Sequence, residues 1–383
     1  RRFRPVAIGC VVAIVLQFVL GGKAYYAGGA DDERLLQGDY SYPAHTEIVQ
    51  PRDAAGRLLS EPGPFAAGPY YPPSVTPLAG IRAMARDVAY AKGCGIRSER
   101  ADGIADAVAA ARSADVAVCF VGGRSGLMPD CTSGEFRDAG SLALPGVQED
   151  LVEAVVATGT PTIVVIVSGR VHALPWIAEH ADALLYAWCP GEQGGAAIAN
   201  VLFGEASPSG RLPISLPRRA GQVPVHHDVR AGGGRSAIFG DYIDGASGPL
   251  FEFGFGLGYT TFAYDDLSVD GLDVRVRVTN RGDRPGTDVV QLFGRDAVAR
   301  VARPERVLLG FTRVALQPGQ ARTVRFSVDP TAFAYYDESM RLVVEPGEVQ
   351  FFVGPLAASG VVDGPEREIG ANDRVPARTV VST

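Results

Sequence analysis

The segment Thr162-Ile163-Val164-Val165-Ile166-Val167, closed by Pro161 on one side and Ser168-Gly169 on the other, decides the fold class. Its residues are β-branched throughout, which suits a pleated strand, and they lack polar alternation, which calls for cover on both faces. Upstream, Val116-Ala117-Val118-Cys119-Phe120-Val121 repeats the pattern and ends at Gly122-Gly123. Between the two, Val147 to Ala157 places Leu151, Val152, Val155 and Val156 on one helical face. Ile104 to Ala111 carries Ala and Val at helical spacing. Downstream come a short helix from Pro175 to Ala181, a strand at Ala183-Leu184-Leu185-Tyr186-Ala187, and a helix from Gly194-Gly195 through Ile198, Val201 and Leu202. Further upstream, Thr76 as N-cap and Pro77 at the first helical position open a helix through Ile81 and Met84, and Val88-Ala89-Tyr90 reads as a brief strand. This rhythm predicts a layered α/β domain with a largely parallel sheet, whose functional loops leave the carboxyl ends of the strands.

From Leu272 the period becomes two. Val274-Arg275-Val276-Arg277-Val278 alternates strictly up to Asn280-Arg281-Gly282-Asp283. Val289 to Phe293, Arg306 to Phe311, Ala321 to Val328 and Val349 to Val353 follow, separated by turns such as Gln317-Pro318-Gly319 and Glu345-Pro346-Gly347. Short strands at this spacing predict an all-β sandwich of immunoglobulin or fibronectin type. Residues after Pro355 are polar and read as a loose tail. Between the two regions, Pro208 to Pro249 is crowded with Pro, Gly and Arg and reads as an extended crossover. Phe251, Phe253, Phe255, Tyr259, Phe262 and Tyr264 then recur at mostly two-residue spacing, a pattern assigned to interdomain packing rather than to a sugar-stacking platform.

The chain has 383 residues and a formal charge of −7, a length that suits two domains. The acidic balance and the lack of clustered Lys and Arg exclude a nucleic-acid surface. Five cysteines, Cys10, Cys94, Cys119, Cys131 and Cys189, show neither metal-ligand nor disulfide-framework spacing, so no metal and no cofactor is expected. His226-His227 would point to opposite sides of an extended segment and is not assigned as a metal site. Gly122-Gly123-Arg124-Ser125-Gly126 lacks the following helix of a nucleotide loop, and no nucleophile elbow is present. Gly191-Glu192-Gln193-Gly194-Gly195 is read as a tight turn rather than an anion site.

Arg1, Arg2 and Arg4 precede the apolar run Val6 to Leu20, which is shorter than the ~20 residues that span a bilayer. Residues 1–29 therefore have three competing readings: signal or membrane anchor, buried strand and helix, or foreign sequence. The first residue is Arg, and sequence upstream of it is expected to be missing. The compartment stays open between cytoplasmic and secreted. Ala30 to Pro73, rich in Gly, Pro, Tyr and acids, reads as surface loop.

One loop carries chemistry. Asp130-Cys131-Thr132-Ser133-Gly134-Glu135-Phe136-Arg137-Asp138 lies between the strand ending at Val121 and the helix beginning near Val147. Ser133 to Asp138, with Leu142-Ala143-Leu144-Pro145-Gly146-Val147-Gln148, resembles the acid/base loop and following helix of glycoside hydrolase family 3, the β-glucosidases and β-xylosidases. Trp188-Cys189-Pro190-Gly191-Glu192-Gln193-Gly194-Gly195, Val201-Leu202-Phe203-Gly204 and Pro208-Ser209-Gly210-Arg211-Leu212-Pro213 are similar to further motifs of that family. So is Phe253-Gly254-Phe255-Gly256-Leu257-Gly258-Tyr259-Thr260-Thr261-Phe262. Val278-Thr279-Asn280, Val290-Gln291-Leu292 and Leu309-Gly310-Phe311 resemble its C-terminal fibronectin-like domain. The likeness runs from about Ala30 to about Gly354. Departures are Arg137-Asp138 where many members read Asp-Arg, Glu252 for a usual proline, Phe255 for a usual histidine or tyrosine, and Gly258 for a usual serine.

The resemblance implies an α/β/α sandwich (30–217), a linker (218–265), a fibronectin type III-like domain (266–356) and a tail (357–383). It implies retaining hydrolysis of β-linked glycosides, with Glu135 as general acid/base. The nucleophile would be an aspartate of a preceding (β/α)8 barrel, for whose approximately 250 residues this chain has no room, so no nucleophile is expected within it and a barrel domain is the expected partner. The competing expectation is a non-catalytic carbohydrate-binding or structural module tethered to a membrane by Val6 to Leu20.

Overall fold

The computed structural model describes residues 24–38, 40–43, 46, 72–127, 131–230, 241–296, 298–375 and 377–382. The Val6 to Leu20 run lies outside them. The chain divides into two compact units: 1–206 with 216–223, and 207–215 with 224–383.

The first unit is built on a five-stranded sheet of β1 (Ala24–Gly28), β2 (Val88–Tyr90), β3 (Val116–Gly122), β4 (Thr162–Val167) and β5 (Ala183–Tyr186) in the order β2-β1-β3-β4-β5. Every pairing is parallel. Helices α1 (Pro77–Met84), α2 (Ile104–Arg112), α3 (Gln148–Val156), α4 (Pro175–His180) and α5 (Gly194–Leu202) connect or follow the strands. As the alternation of side chains requires, β3 and β4 serve two layers. Val116, Val118, Phe120, Ile163, Val165 and Val167 pack with Leu78 and Ile81 of α1 and Ile198 and Ala199 of α5. Ala117, Cys119, Val121, Val164 and Ile166 face the other way and are also buried, as are Ala107, Leu151, Val155 and Ile177 of α2, α3 and α4. The architecture is the expected α/β/α sandwich, and the strands and helices read from the sequence match the observed ones to within a residue or two.

Thr76 caps α1 by accepting from the Ala79 amide at 3.2 Å, with Pro77 in the first turn. α1 and α5 approach through glycines: a Cβ on Gly80 would lie 2.3 Å from the Gly195 carbonyl oxygen, and one on Gly195 would lie 2.1 Å from that of Thr76. This is the close-packing role expected of Gly194-Gly195. The sequence placed no strand at Ala24–Gly28. The structure inserts it as β1 between β2 and β3, in register from Ala24 opposite Val116 to Gly28 opposite Phe120.

The second unit is antiparallel. β6 (Phe262–Asp270), β7 (Asp273–Asn280), β8 (Gly286–Asp296), β9 (Val307–Leu316) and β10 (Ala321–Ser327) come first. The short pieces β11 (Tyr335–Tyr336) and β12 (Leu342–Val344) follow, then β13 (Gly347–Val353), β14 (Leu356–Val362), β15 (Arg367–Glu368) and β16 (Arg378–Ser382). Two four-stranded sheets, β16-β10-β7-β6 and β14-β13-β8-β9, enclose Val274, Val276, Val278, Val290, Leu292, Val324, Phe326, Val349, Phe351 and Val353. Asn280, fully buried, fixes the turn after β7 by donating to Arg284 O at 2.8 Å and Leu316 O at 3.1 Å.

The region after Pro355 corrects the expectation of a loose tail. β14 pairs with β13 from Gly347/Val362 to Val353/Leu356, and β16 pairs with β10. The aromatic run also has a packing role inside this unit: Phe253 stacks on His227 at 4.1 Å between centroids and meets Phe293 edge-on at 6.2 Å. His226 is exposed while His227 is half-buried in that stack, so the histidine pair is divided between two environments.

Candidate active-site loop

Glu135 sits in the loop that leaves the carboxyl end of β3. Gly122, at φ 142, turns the chain out of the sheet, and a Cβ there would lie 2.1 Å from Val167 O. The loop then folds back on itself. Thr132 N and Ser133 N donate to Arg124 O at 2.9 and 3.3 Å, and Gly126 N donates to Ser133 O at 3.0 Å. Gly134 at φ 121 brings the two limbs together, since a Cβ would stand 2.5 Å from Gly126 O. Arg137 closes the arrangement by donating Nε and Nη2 to Leu127 O at 3.0 and 2.8 Å. Its guanidinium is thus committed to the loop backbone.

The two residues at the tip are presented outward. Glu135 is exposed, and Tyr40 Oη donates to its Oε2 at 3.3 Å. Phe136 is 81% exposed and adopts φ 61, a left-handed conformation that costs a non-glycine residue roughly 1–2 kcal/mol. Strain of this kind concentrates at functional positions. Asp130 lies outside the described residues. Asp32 tethers the near side of the loop, since it pairs with Arg124 while also accepting from Arg34 N at 3.0 Å.

Beneath the loop are two buried polar devices. Gln148, 3% exposed, opens α3. Its Oε1 accepts from Gly122 N at 2.8 Å, and its Nε2 donates to Gly122 O at 2.8 Å, Ile96 O at 2.9 Å and Pro145 O at 3.1 Å. The last residue pair of β1 with β3 is Gly28 with Phe120, and Gly29 N donates to Phe120 O. Backbone groups two residues apart on a strand point to the same side, so Gly122 faces the side where β1 has ended. The Gln148 amide substitutes there for a missing strand.

His172, fully buried, shares a 2.9 Å hydrogen bond between its Nε2 and Ser168 Oγ and lies with Nδ1 3.3 Å from Ala143 O. Burial drives its pKa down to about 4, so the ring is neutral at neutral pH. Its polar contacts lead into the scaffold, and it holds the 142–144 segment beside the β4 exit, where Ala173 N also donates to Leu142 O at 2.8 Å.

The sequence singled out Glu135 as a candidate but gave no place to Gln148 and His172, which lie buried beneath its loop. The signal for Gln148 was a single amide on the same helical face as Leu151, Val152 and Val155, all buried. Among the described residues no group of three His, Cys, Asp or Glu side chains could hold a metal, and no helix is long and apolar enough to cross a membrane.

A parallel α/β/α sandwich with an acidic loop at a strand's carboxyl end, joined to a fibronectin-like sandwich, defines the class. Comparison with known proteins gives the family. Residues 20–259 match the glycosyl hydrolase family 3 C-terminal domain, and residues 288–357 match a fibronectin type III-like domain. The chain belongs to glycoside hydrolase family 3. A periplasmic β-glucosidase of Salmonella typhimurium is 37% identical over 321 residues, covering 73% of this chain and 41% of that protein. A β-xylosidase of Formosa agariphila is 38% identical over 325 residues, covering 81% and 43%. Among solved structures, a β-glucosidase from Erythrobacter marinus superposes with a TM-score of 0.72 at 32% identity, covering 91% of this chain and 47% of that one. The chain thus spans less than half the length of these relatives.

Proposed function

We propose that this chain is the acid/base-bearing part of a retaining β-glycosidase of β-glucosidase or β-xylosidase type, and that Glu135 is its general acid/base. The observation that carries the reading is the outward presentation of Glu135 from a pinned loop at the carboxyl end of β3, in a chain whose relatives are β-glucosidases and β-xylosidases.

Retaining hydrolysis places two carboxyl groups roughly 5–5.5 Å apart across the glycosidic bond. Glu135 delivers a proton to the leaving oxygen while the second carboxylate attacks the anomeric carbon. It then takes a proton from the water that releases the glycosyl-enzyme. The nucleophile is an aspartate from a (β/α)8 barrel, a domain that the described residues do not form. Closure of the barrel over the loop removes water from Glu135 and brings a like charge near it. Both effects raise a carboxyl pKa toward the working range of an acid catalyst. The sandwich positions the acid and the fibronectin-like unit is structural.

The test joins this chain to a family barrel and measures aryl β-glucoside and β-xyloside hydrolysis. Glu135→Gln is expected to lower kcat/KM at least ~100-fold on substrates with poor leaving groups and far less on dinitrophenyl glycosides, whose departure needs no proton. Equal activity of variant and parent on the poor leaving groups would refute the assignment.

A further inference from the structure

The carboxyl group of Glu135 is met by a side chain from a distant part of the first unit. Tyr40 Oη donates to Glu135 Oε2 at 3.3 Å across 95 positions of sequence. The sheet explains the meeting. β1 and β3 are parallel neighbours, so the segments that leave their carboxyl ends emerge side by side, Tyr40 on the first and Glu135 on the second. The segment after β1 is anchored. Leu35 and Leu36 are buried, Leu36 O accepts from Gly191 N at 2.8 Å, and Asp32 pairs with Arg124 at the near side of the Glu135 loop. Ser41 N donates to Gly38 O at 3.1 Å and closes a turn that carries Tyr40. The two segments are thus tied twice, by an ion pair at the root and by the tyrosine at the tip. Tyr40 itself is 73% exposed, so burial of its ring adds little to the core.

Resting on Glu135 as the acid/base, we infer that Tyr40 is the positioning residue of that carboxyl group. A glutamate at an exposed tip has several staggered rotamers, and a proton donor works only from the one that aims at the leaving oxygen. The hydrogen bond from Tyr40 selects among them. A tyrosine hydroxyl has one hydrogen to donate, and here it goes to Oε2, so the catalytic proton is carried by Oε1. In the first step Oε1 gives that proton to the leaving oxygen. In the second step Oε1 takes one from the attacking water, with Oε2 held as before. Tyr40 acts through Glu135 and makes no contact with the sugar in this reading.

The test uses the barrel-completed chain and measures kcat/KM on aryl β-glucosides and β-xylosides of graded leaving group. Tyr40→Phe, Glu135→Gln and the double variant are compared. Tyr40→Phe is expected to lower kcat/KM about 5–10-fold on poor leaving groups and to spare dinitrophenyl glycosides, whose departure needs no proton. In the Glu135→Gln background the same change should cost nothing further, because the group it acts through is gone. The unfolding midpoint of the 383-residue chain should not move. Equal loss on both substrate classes, unchanged or raised activity on poor leaving groups, or a further loss in the double variant overturns the inference. The two readings fail separately. Loss of turnover in Glu135→Gln but not in Tyr40→Phe sinks only the positioning role. Full turnover by Glu135→Gln on poor leaving groups sinks the acid/base role and the positioning role with it.

Discussion

Replacing Gln148 by leucine would keep the side chain's bulk and delete its amide. Gly122 N–H and C=O would then face an apolar side chain at the end of β1, with Ile96 O and Pro145 O also losing a donor. A buried polar group left without a partner costs about 1–3 kcal/mol. Counting only the two buried groups of Gly122, at about 2 kcal/mol each, gives a loss of about 4 kcal/mol. For a unit of this size that corresponds to a fall of roughly 8–16 °C in Tm and of about 1.5 M in the urea midpoint. The assay is selective, because the chain's two tryptophans, Trp176 and Trp188, both lie in the first unit. Tryptophan fluorescence therefore follows the α/β unit alone. Gln148→Glu gives a second arm. Its carboxylate would oppose three carbonyl oxygens in a buried site, so its folded-state pKa would be raised above the unfolded value. For an acid the sign then follows: stability falls as pH rises from ~4.3 toward the folded pKa. A loss below ~1 kcal/mol in Gln148→Leu, or a pH-independent Gln148→Glu, would refute the view that this amide stands in for a strand.

Three further outcomes are expected. His172, neutral when folded with its pKa lowered to about 4 by burial, should make the first unit lose stability as pH falls from ~6.5 toward that value. The loss is about 3 kcal/mol, and His172→Gln should flatten this part of the pH profile of urea unfolding. Phe136→Gly should relieve the left-handed strain and raise stability by up to ~1 kcal/mol, while lowering turnover of the barrel-completed enzyme because the ring beside Glu135 is gone. In the second unit, Asp288 is 1% exposed and accepts from Arg211, from Tyr264 Oη at 2.5 Å and from Val289 N at 2.8 Å. Arg211→Met should destabilise that unit by about 3–5 kcal/mol by stranding a buried carboxylate, and adding Asp288→Leu should recover most of the loss. Differential scanning calorimetry, with the tryptophan-monitored transition of the first unit as the reference that should not move, checks both variants.

The continuous apolar runs made β3 and β4 legible, because a strand covered on both faces leaves no polar position to obscure it. β1 was not legible: Ala24-Tyr25-Tyr26-Ala27-Gly28 has no β-branched residue, and its place in the sheet depends on partners at Val88 and Val116 distant in sequence. β14 was hidden for a related reason. Its residues Leu356-Ala357-Ala358-Ser359-Gly360-Val361-Val362 are mostly small, and only Gly360 and Val362 are buried, so alternation gives no signal and pairing with β13 holds the strand. The site divided in the same way. Glu135 was singled out through motif resemblance, whereas Gln148 and His172 act mainly through contacts to backbone groups far along the chain.

The loop and the helix that follows it perform different physical tasks. Leu144-Pro145-Gly146-Val147-Gln148 is anchored: Leu144 and Gln148 are buried, and Gly146, at φ 59, sits where a Cβ would strike Ser98 O at 2.4 Å. Ser133-Gly134-Glu135-Phe136 is raised on that base with its tip strained and exposed. On the proposed acid/base role of Glu135, a carboxyl group that meets a nucleophile on another domain needs a fixed root and an exposed tip. On that reading, a tip packed deep into its own unit would have to break those contacts before a barrel domain could close on it. Swapping the two properties should therefore be costly in opposite ways. Loosening the root through Gln148→Leu should lower stability together with activity, whereas relaxing the tip through Phe136→Gly should raise stability and lower activity. If both variants lost stability and activity in proportion, the root and tip would be one cooperative element and this division would be wrong.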